Sequence, residues 1–119
     1  MPPKFDKIFS VPREPETALT PGQYFELKVP EGHRVLITDV YIENMGIGTS
    51  VLRILEQTGP ETFAVRYAFR GTAGQVTALN FTVGLKLGDE TPIAGSIRIE
   101  NAPQSGALIL PRVNGVLVP

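Results

Sequence analysis

From Gln23 onward the chain is written in short runs of period two, and turn signals recur about every eight to twelve residues. No stretch of about ten residues or more keeps a helical period. This punctuation is the strongest constraint on the fold. It excludes helix bundles and doubly wound α/β folds, and it leaves an all-β sandwich or barrel.

Phe25, Leu27 and Val29 alternate with Glu26 and Lys28, so one face of that strand is wet. Arg34 to Asn44 is apolar on both faces, which predicts a central strand. Val51 to Glu56 follows, and then Thr62 to Arg70, where Phe63, Val65, Tyr67 and Phe69 are expected on one face. Gln75 to Val83, a short strand at 84–88, and the alternating Ile93, Gly95, Ile97 and Ile99 come next. Ala107 to Leu110 and Val113 to Val118 close the chain, with Pro111 expected to interrupt them. Eight or nine strands suit a two-sheet antiparallel jelly roll, with an immunoglobulin-like order as the competitor.

With 119 residues the chain makes one domain, and at this size folding buries about two-thirds of the surface. Hydrophobic residues are 42% and charged residues 19%, which is globular rather than disordered. Eleven Lys and Arg stand against twelve Asp and Glu, so there is no basic excess to neutralise phosphates, and nucleic acid is not expected as a partner. No apolar run approaches the roughly eighteen residues of a membrane span, no polybasic patch is present, and no secretory signal is read at the N-terminus. There is no cysteine, so disulfides, zinc thiolates, iron–sulfur clusters and thiol catalysis are excluded together.

Residues 1–22 differ from the rest. Prolines stand at 2, 3, 12, 15 and 21, and each fixes φ and removes a donor. The expectation is an extended N-terminal arm, with the sandwich confined to 23–119. The arm carries Phe5, Ile8, Phe9, Val11 and Leu19, more apolar weight than a solvated tail holds. An arm of this length and character is expected to dock on a neighbouring subunit.

Residues that could carry chemistry are few. His33 is the only histidine, and it sits in a turn, where it is expected to be solvated. The serines lack a nucleophile elbow. Asp89 and Glu90 read as turn formers before Pro92. Asp39 interrupts the central strand, where a carboxylate needs a partner; Arg53, Arg66 and Arg98 are the candidates. The glycines at 46, 48, 71 and 74 precede no helix and read as turn glycines. Asn80-Phe81-Thr82 matches the glycosylation pattern within a strand and is read as chance. Most aromatic residues fall on inward positions, with Tyr24 and Tyr41 the outward exceptions. No catalytic, cofactor or metal site is expected.

Three segments carry a resemblance. Residues 30–44 contain Ile-Thr-Asp-Val, residues 79–89 contain Gly-Leu-Lys-Leu-Gly-Asp, and residues 112–118 end in Gly-Val-Leu-Val. In this order the chain resembles small jelly-roll proteins and domains of bacteria and their phages. There, a strand, a Gly-Leu-x-Leu-x-Gly-Asp turn and a closing Gly-x-Leu-Val strand of this kind recur. Val116 stands where those proteins commonly carry Tyr. The resemblance implies a virion decoration, head-fibre or spike role, usually as a trimer.

The expected function is therefore non-enzymatic. The chain is read as a structural assembly protein, a phage virion accessory subunit that pairs with itself and with a capsid or other structural protein. The assembly residues are Phe5, Ile8, Phe9, Val11 and Leu19, aided by strand edges. The alternative is a carbohydrate- or surface-binding sandwich, which would need a planar aromatic patch, or a calcium site in the loops at 45–49, 71–74 or 89–92.

Overall fold

The computed structural model describes residues 7–12, 18–46, 48–88, 95–103 and 108–119. Phe5, Ile93 and the Asp89–Glu90 turn lie outside the described residues. Among these residues eight strands follow in order: β1 (Lys7–Val11), β2 (Tyr24–Lys28), β3 (Arg34–Asn44), β4 (Ser50–Gln57), β5 (Phe63–Gly71), β6 (Val76–Leu87), β7 (Ser96–Asn101) and β8 (Ile109–Val118).

They form two four-stranded antiparallel sheets, β1-β8-β3-β6 and β2-β7-β4-β5. The pairing has a simple logic. β1 pairs with β8, β2 with β7, β3 with β6 and β4 with β5, like the rungs of one long hairpin. Rolling that hairpin up adds the contacts of β3 with β8 and of β4 with β7. This order is the jelly roll and decides against the immunoglobulin-like alternative.

The core lies between the sheets. Ile37 and Ile42 of β3, Ile109 and Val113 of β8, Leu52 and Ile54 of β4, and Ile97 and Ile99 of β7 are fully buried. The β5–β6 side is closed by polar ties and rings. The Tyr67 hydroxyl donates to the Lys86 carbonyl at 2.7 Å, and the Gly88 N–H donates to Glu56 Oε1 at 3.0 Å. Phe69 and Phe81 pack with centroids 5.9 Å apart.

The division into arm and sandwich at 22/23 is corrected. β1 falls inside the expected arm and completes the first sheet along β8, from Lys7↔Leu117 to Val11↔Val113. Phe9, Val11 and Leu19 are buried in the chain's own core, and Leu19 and Ile109 exchange backbone hydrogen bonds at 2.8 and 3.1 Å. The flanking prolines suggested a continuous extended arm, yet a five-residue edge strand fits between Pro3 and Pro12.

Three strand readings are also corrected. At β5 a register shift opposite Ile54/Leu55 places one extra residue, Arg66, between Val65 and Tyr67. The side-chain alternation therefore switches: Tyr67 and Phe69 face the core, while Phe63 and Val65 do not. β6 runs unbroken to Leu87, taking in all but the last residue of the short strand expected at 84–88. β8 runs through Pro111: the β1 ladder ends at Val11↔Val113, so among the described residues one side of Pro111 has no ladder bond to make.

Candidate functional site

The outer face of the β1-β8-β3-β6 sheet carries the features that core packing does not explain. Its side chains stand in rows across the strands, set by the registers. Ile8, Val116, Leu36 and Lys86 form one row. Ser10, Asn114, Asp39 and Asn80 form the next, followed by Arg112, Tyr41 and Ala78, and then Leu110, Glu43 and Val76. On the other flank of the first row, Arg34 stands beside Val118.

A solvated sheet face is expected to be polar. The first row is instead apolar from β1 to β3, where Leu36 leans onto Gly84 of β6, and Lys86 ends the row. Gly84 makes this possible, because Leu36 Cδ1 lies 2.6 Å from where a Cβ on Gly84 would stand. Gly84 also has φ +82°, a conformation that L side chains rarely adopt. The neighbouring Val83 is 81% exposed, and Ile8 at the opposite edge is 88% exposed. The result is an apolar band, Ile8–Val116–Leu36, that ends at the β1 edge in a nearly bare side chain.

A bulge sets the charges that flank the band. β8 passes directly from Asn114 to Gly115, while β3 spends an extra residue, Thr38, between Ile37 and Asp39. Strict alternation would put Asp39 on the core face, and the extra residue returns it to the outer face. Thr38 Oγ1 donates to Asp39 Oδ2 at 2.9 Å and also lies 3.3 Å from the Asn114 carbonyl oxygen. The expected partners of Asp39 are corrected, because Arg53, Arg66 and Arg98 all belong to the other sheet. Arg53 pairs with Glu100, its Nε donating at 2.7 Å, and Arg66 pairs with Glu56 at 3.4 Å. Arg98 lies between two rings, 4.2 Å from the Tyr24 centroid and 3.8 Å from that of Phe63. Among the described residues neither Asp39 nor Arg34 forms an ion pair, and the buried Arg34 Nε has no hydrogen-bond partner.

The assembly residues read from the sequence are thus divided. Ile8 faces outward, whereas Phe9, Val11 and Leu19 point into the chain's own core. Leu36, Val116 and Arg34 were missed. Their signal was the apolar character of both faces of Arg34–Asn44, which sequence reasoning took only as a sign of centrality.

Among the described residues, His33 and Ser96 are each held by local contacts. His33 is buried rather than solvated, because its ring folds back on its own turn, with Nδ1 3.2 Å from the Glu31 carbonyl oxygen. Ser96 is buried beneath Glu26, to whose Oε1 its hydroxyl donates at 2.7 Å. Among the described residues no three His, Cys, Asp or Glu side chains come together. No family model matches the chain, and no curated protein is similar to it.

Proposed function

We propose that this protein is a non-enzymatic assembly subunit whose copies join through the outer face of the β1-β8-β3-β6 sheet. One observation carries the reading: an apolar band crosses a face that faces water, and Ile8 at its end is 88% exposed. Covering Ile8 alone contributes about 1.5–3 kcal/mol to a contact.

Association runs through the face because the sheet edges are guarded. β1 is five residues long and is followed by Pro12, β2 is equally short and carries Glu26 and Lys28, and β5 carries a bulge at Arg66. Between Asn80 and Leu85, β6 departs from the ladder. Short strands, charges, prolines and bulges are the devices that discourage edge pairing.

The jelly-roll order is shared by viral capsid and lectin domains. Together with the resemblance to decoration, head-fibre and spike domains, it supports a virion accessory role. The test is the native mass in solution by light scattering. The reading expects a multiple of the 12.9 kDa chain, reduced to a single chain by Ile8→Asp. A native protein of single-chain mass at high concentration overturns it.

A second reading, as a carbohydrate- or surface-binding module, has one observation in its favour. A depression of about 570 Å³ on the same face is lined by Asp39, Tyr41, Glu43, Arg112 and Asn114. It sets a half-exposed ring beside hydrogen-bonding groups of both kinds. A glycan array read with Tyr41→Ala as control tests it.

A further inference from the structure

The charges beside the apolar band specify how a second copy sits on it. Arg34 and Asp39 are both on β3 and on one face, on opposite flanks of Leu36. Arg34 shares the face of Leu36 by plain alternation, and Asp39 joins it only because Thr38 is bulged out. Neither is ion-paired among the described residues, and Arg34 keeps a buried Nε–H without an acceptor. Arg34 is thus a cation without a counter-charge among the described residues, and a carboxylate from another chain is the group that would pair with the outer end of its guanidinium.

We infer that two copies pack face to face about a two-fold axis running along the Ile8–Val116–Leu36 row, with Arg34 of each copy opposite Asp39 of the other. This rests on the assembly reading above and adds its symmetry and its polar contacts. Rotation about that row lays each apolar residue on its own counterpart and exchanges the two flanks. The cation flank of one copy therefore meets the acid flank of the other, twice. A two-fold axis perpendicular to the row would set Arg34 on Arg34 and Asp39 on Asp39, which like-charge repulsion disfavours. The interface is isologous and closed, a pair rather than the trimer that the resemblance implies. Lys86, exposed at the β6 end of the row, keeps its ammonium in water at the rim. Arg112 lies one row beyond Asp39, toward Glu43.

Charge reversal reads this geometry directly. Arg34→Asp alone puts two carboxylates together at each contact, and Asp39→Arg alone puts two guanidinium groups together. Each chain by itself is expected to lose about tenfold or more in dimer affinity. An equimolar mixture of the two chains is expected to recover the dimer as a heterodimer, since both contacts are then of opposite sign. A single chain carrying both reversals is expected to recover it as a homodimer.

Sedimentation or light scattering measures all four samples, and thermal melting checks that each is folded. If Arg34→Asp does not fold, Arg34→Gln and Asp39→Asn replace the reversals. The double variant is then expected to lose no more affinity than either single variant. A native protein of single-chain mass overturns both the assembly reading and this one. An oligomer abolished by Ile8→Asp but indifferent to the charge variants, or not restored by mixing, overturns only the two-fold placement.

Discussion

The ring of Phe9 occupies the place that a side chain on Gly115 would take. Its Cζ lies 2.7 Å from the position of the absent Cβ, and the Leu36 carbonyl oxygen presses on the same point. The two residues are cross-strand partners in β1 and β8. The missing side chain therefore creates the seat that holds the first strand on the sheet. Gly115→Ala is expected to cost about 1–3 kcal/mol through overpacking, read as a lower urea midpoint. Phe9→Leu in the same chain should recover part of the loss, because the two sites share one space. A Gly115→Ala chain with the wild-type midpoint would mean that the ring yields freely.

Removal of residues 1–12 tests whether the N-terminal segment belongs to the fold. Phe9 and Val11 are buried in the core cluster. Losing both is expected to cost about 3–6 kcal/mol of burial, in addition to the β1–β8 ladder. Urea unfolding of the truncated chain should show that loss. An unchanged midpoint would return the segment to the status of a detachable arm.

The legible part of this fold is the part that period-two patterning records. β3 reads as central because Val35, Ile37, Val40 and Ile42 leave few polar gaps, and it does lie between β8 and β6. Bulges leave no such trace. Phe63, Val65, Tyr67 and Phe69 alternate perfectly in sequence, and a single extra residue in the ladder splits them between the two faces. Asp39 was legible as an anomaly, but its environment was not, since the bulge at Thr38 decides which face it joins. Prolines misled at both ends of the chain for one reason. Their cost depends on whether a neighbouring strand needs the missing donor, and among the described residues none does at Pro12 or on the β1 side of Pro111. Arg34, Leu36 and Val116 went unnoticed as a group because their adjacency exists only across strands.

Asn44 is expected to be the polar residue least tolerant of change. It is buried, and its Nδ2 donates to the Gly48 carbonyl at 2.7 Å and to the Gly71 carbonyl at 3.1 Å. Its Oδ1 accepts the Gly46 N–H at 2.9 Å. One side chain thus ties the turn after β3 to the end of β5. Asn44→Ala strands the buried Gly71 carbonyl at about 1–3 kcal/mol and frees the half-buried Gly46 and Gly48 groups, and Asn44→Asp loses both donors while adding a buried charge. Chemical denaturation should rank Asn44→Asp below Asn44→Ala.

Arg98 between Tyr24 and Phe63 makes a stack on the second sheet that a double-mutant cycle can measure. A cation on a partly exposed ring contributes about 0.5–1 kcal/mol. Tyr24→Leu and Phe63→Leu should each lower stability by that amount when Arg98 is present. In an Arg98→Met chain, which keeps much of the stem, the same changes should cost measurably less. Equal costs in both backgrounds would reduce the stack to ordinary apolar packing.

The bulge gives the sharpest prediction, because it concerns deletion of a residue from a central strand. Such a deletion normally turns every following side chain to the wrong face. Thr38 is the exception. Without it, Ile37 faces the core, Asp39 faces out and Val40 faces the core, which is the arrangement the flanking strand already has. β8 needs no adjustment, since Gly115 and Asn114 already pair with Ile37 and Asp39. The chain loses the Thr38 hydroxyl bond to Asp39 and the local twist that a bulge adds. Deleting Thr38 is therefore expected to leave a cooperative fold, lower in stability by about 1–2 kcal/mol. Deleting Val40 should abolish folding, because it drives Tyr41 and Glu43 inward and Ile42 out. Thermal melts of the two single-residue deletions decide the matter: equal damage from both would mean that Thr38 is locked into the strand, and the register argument for Asp39 would fall with it.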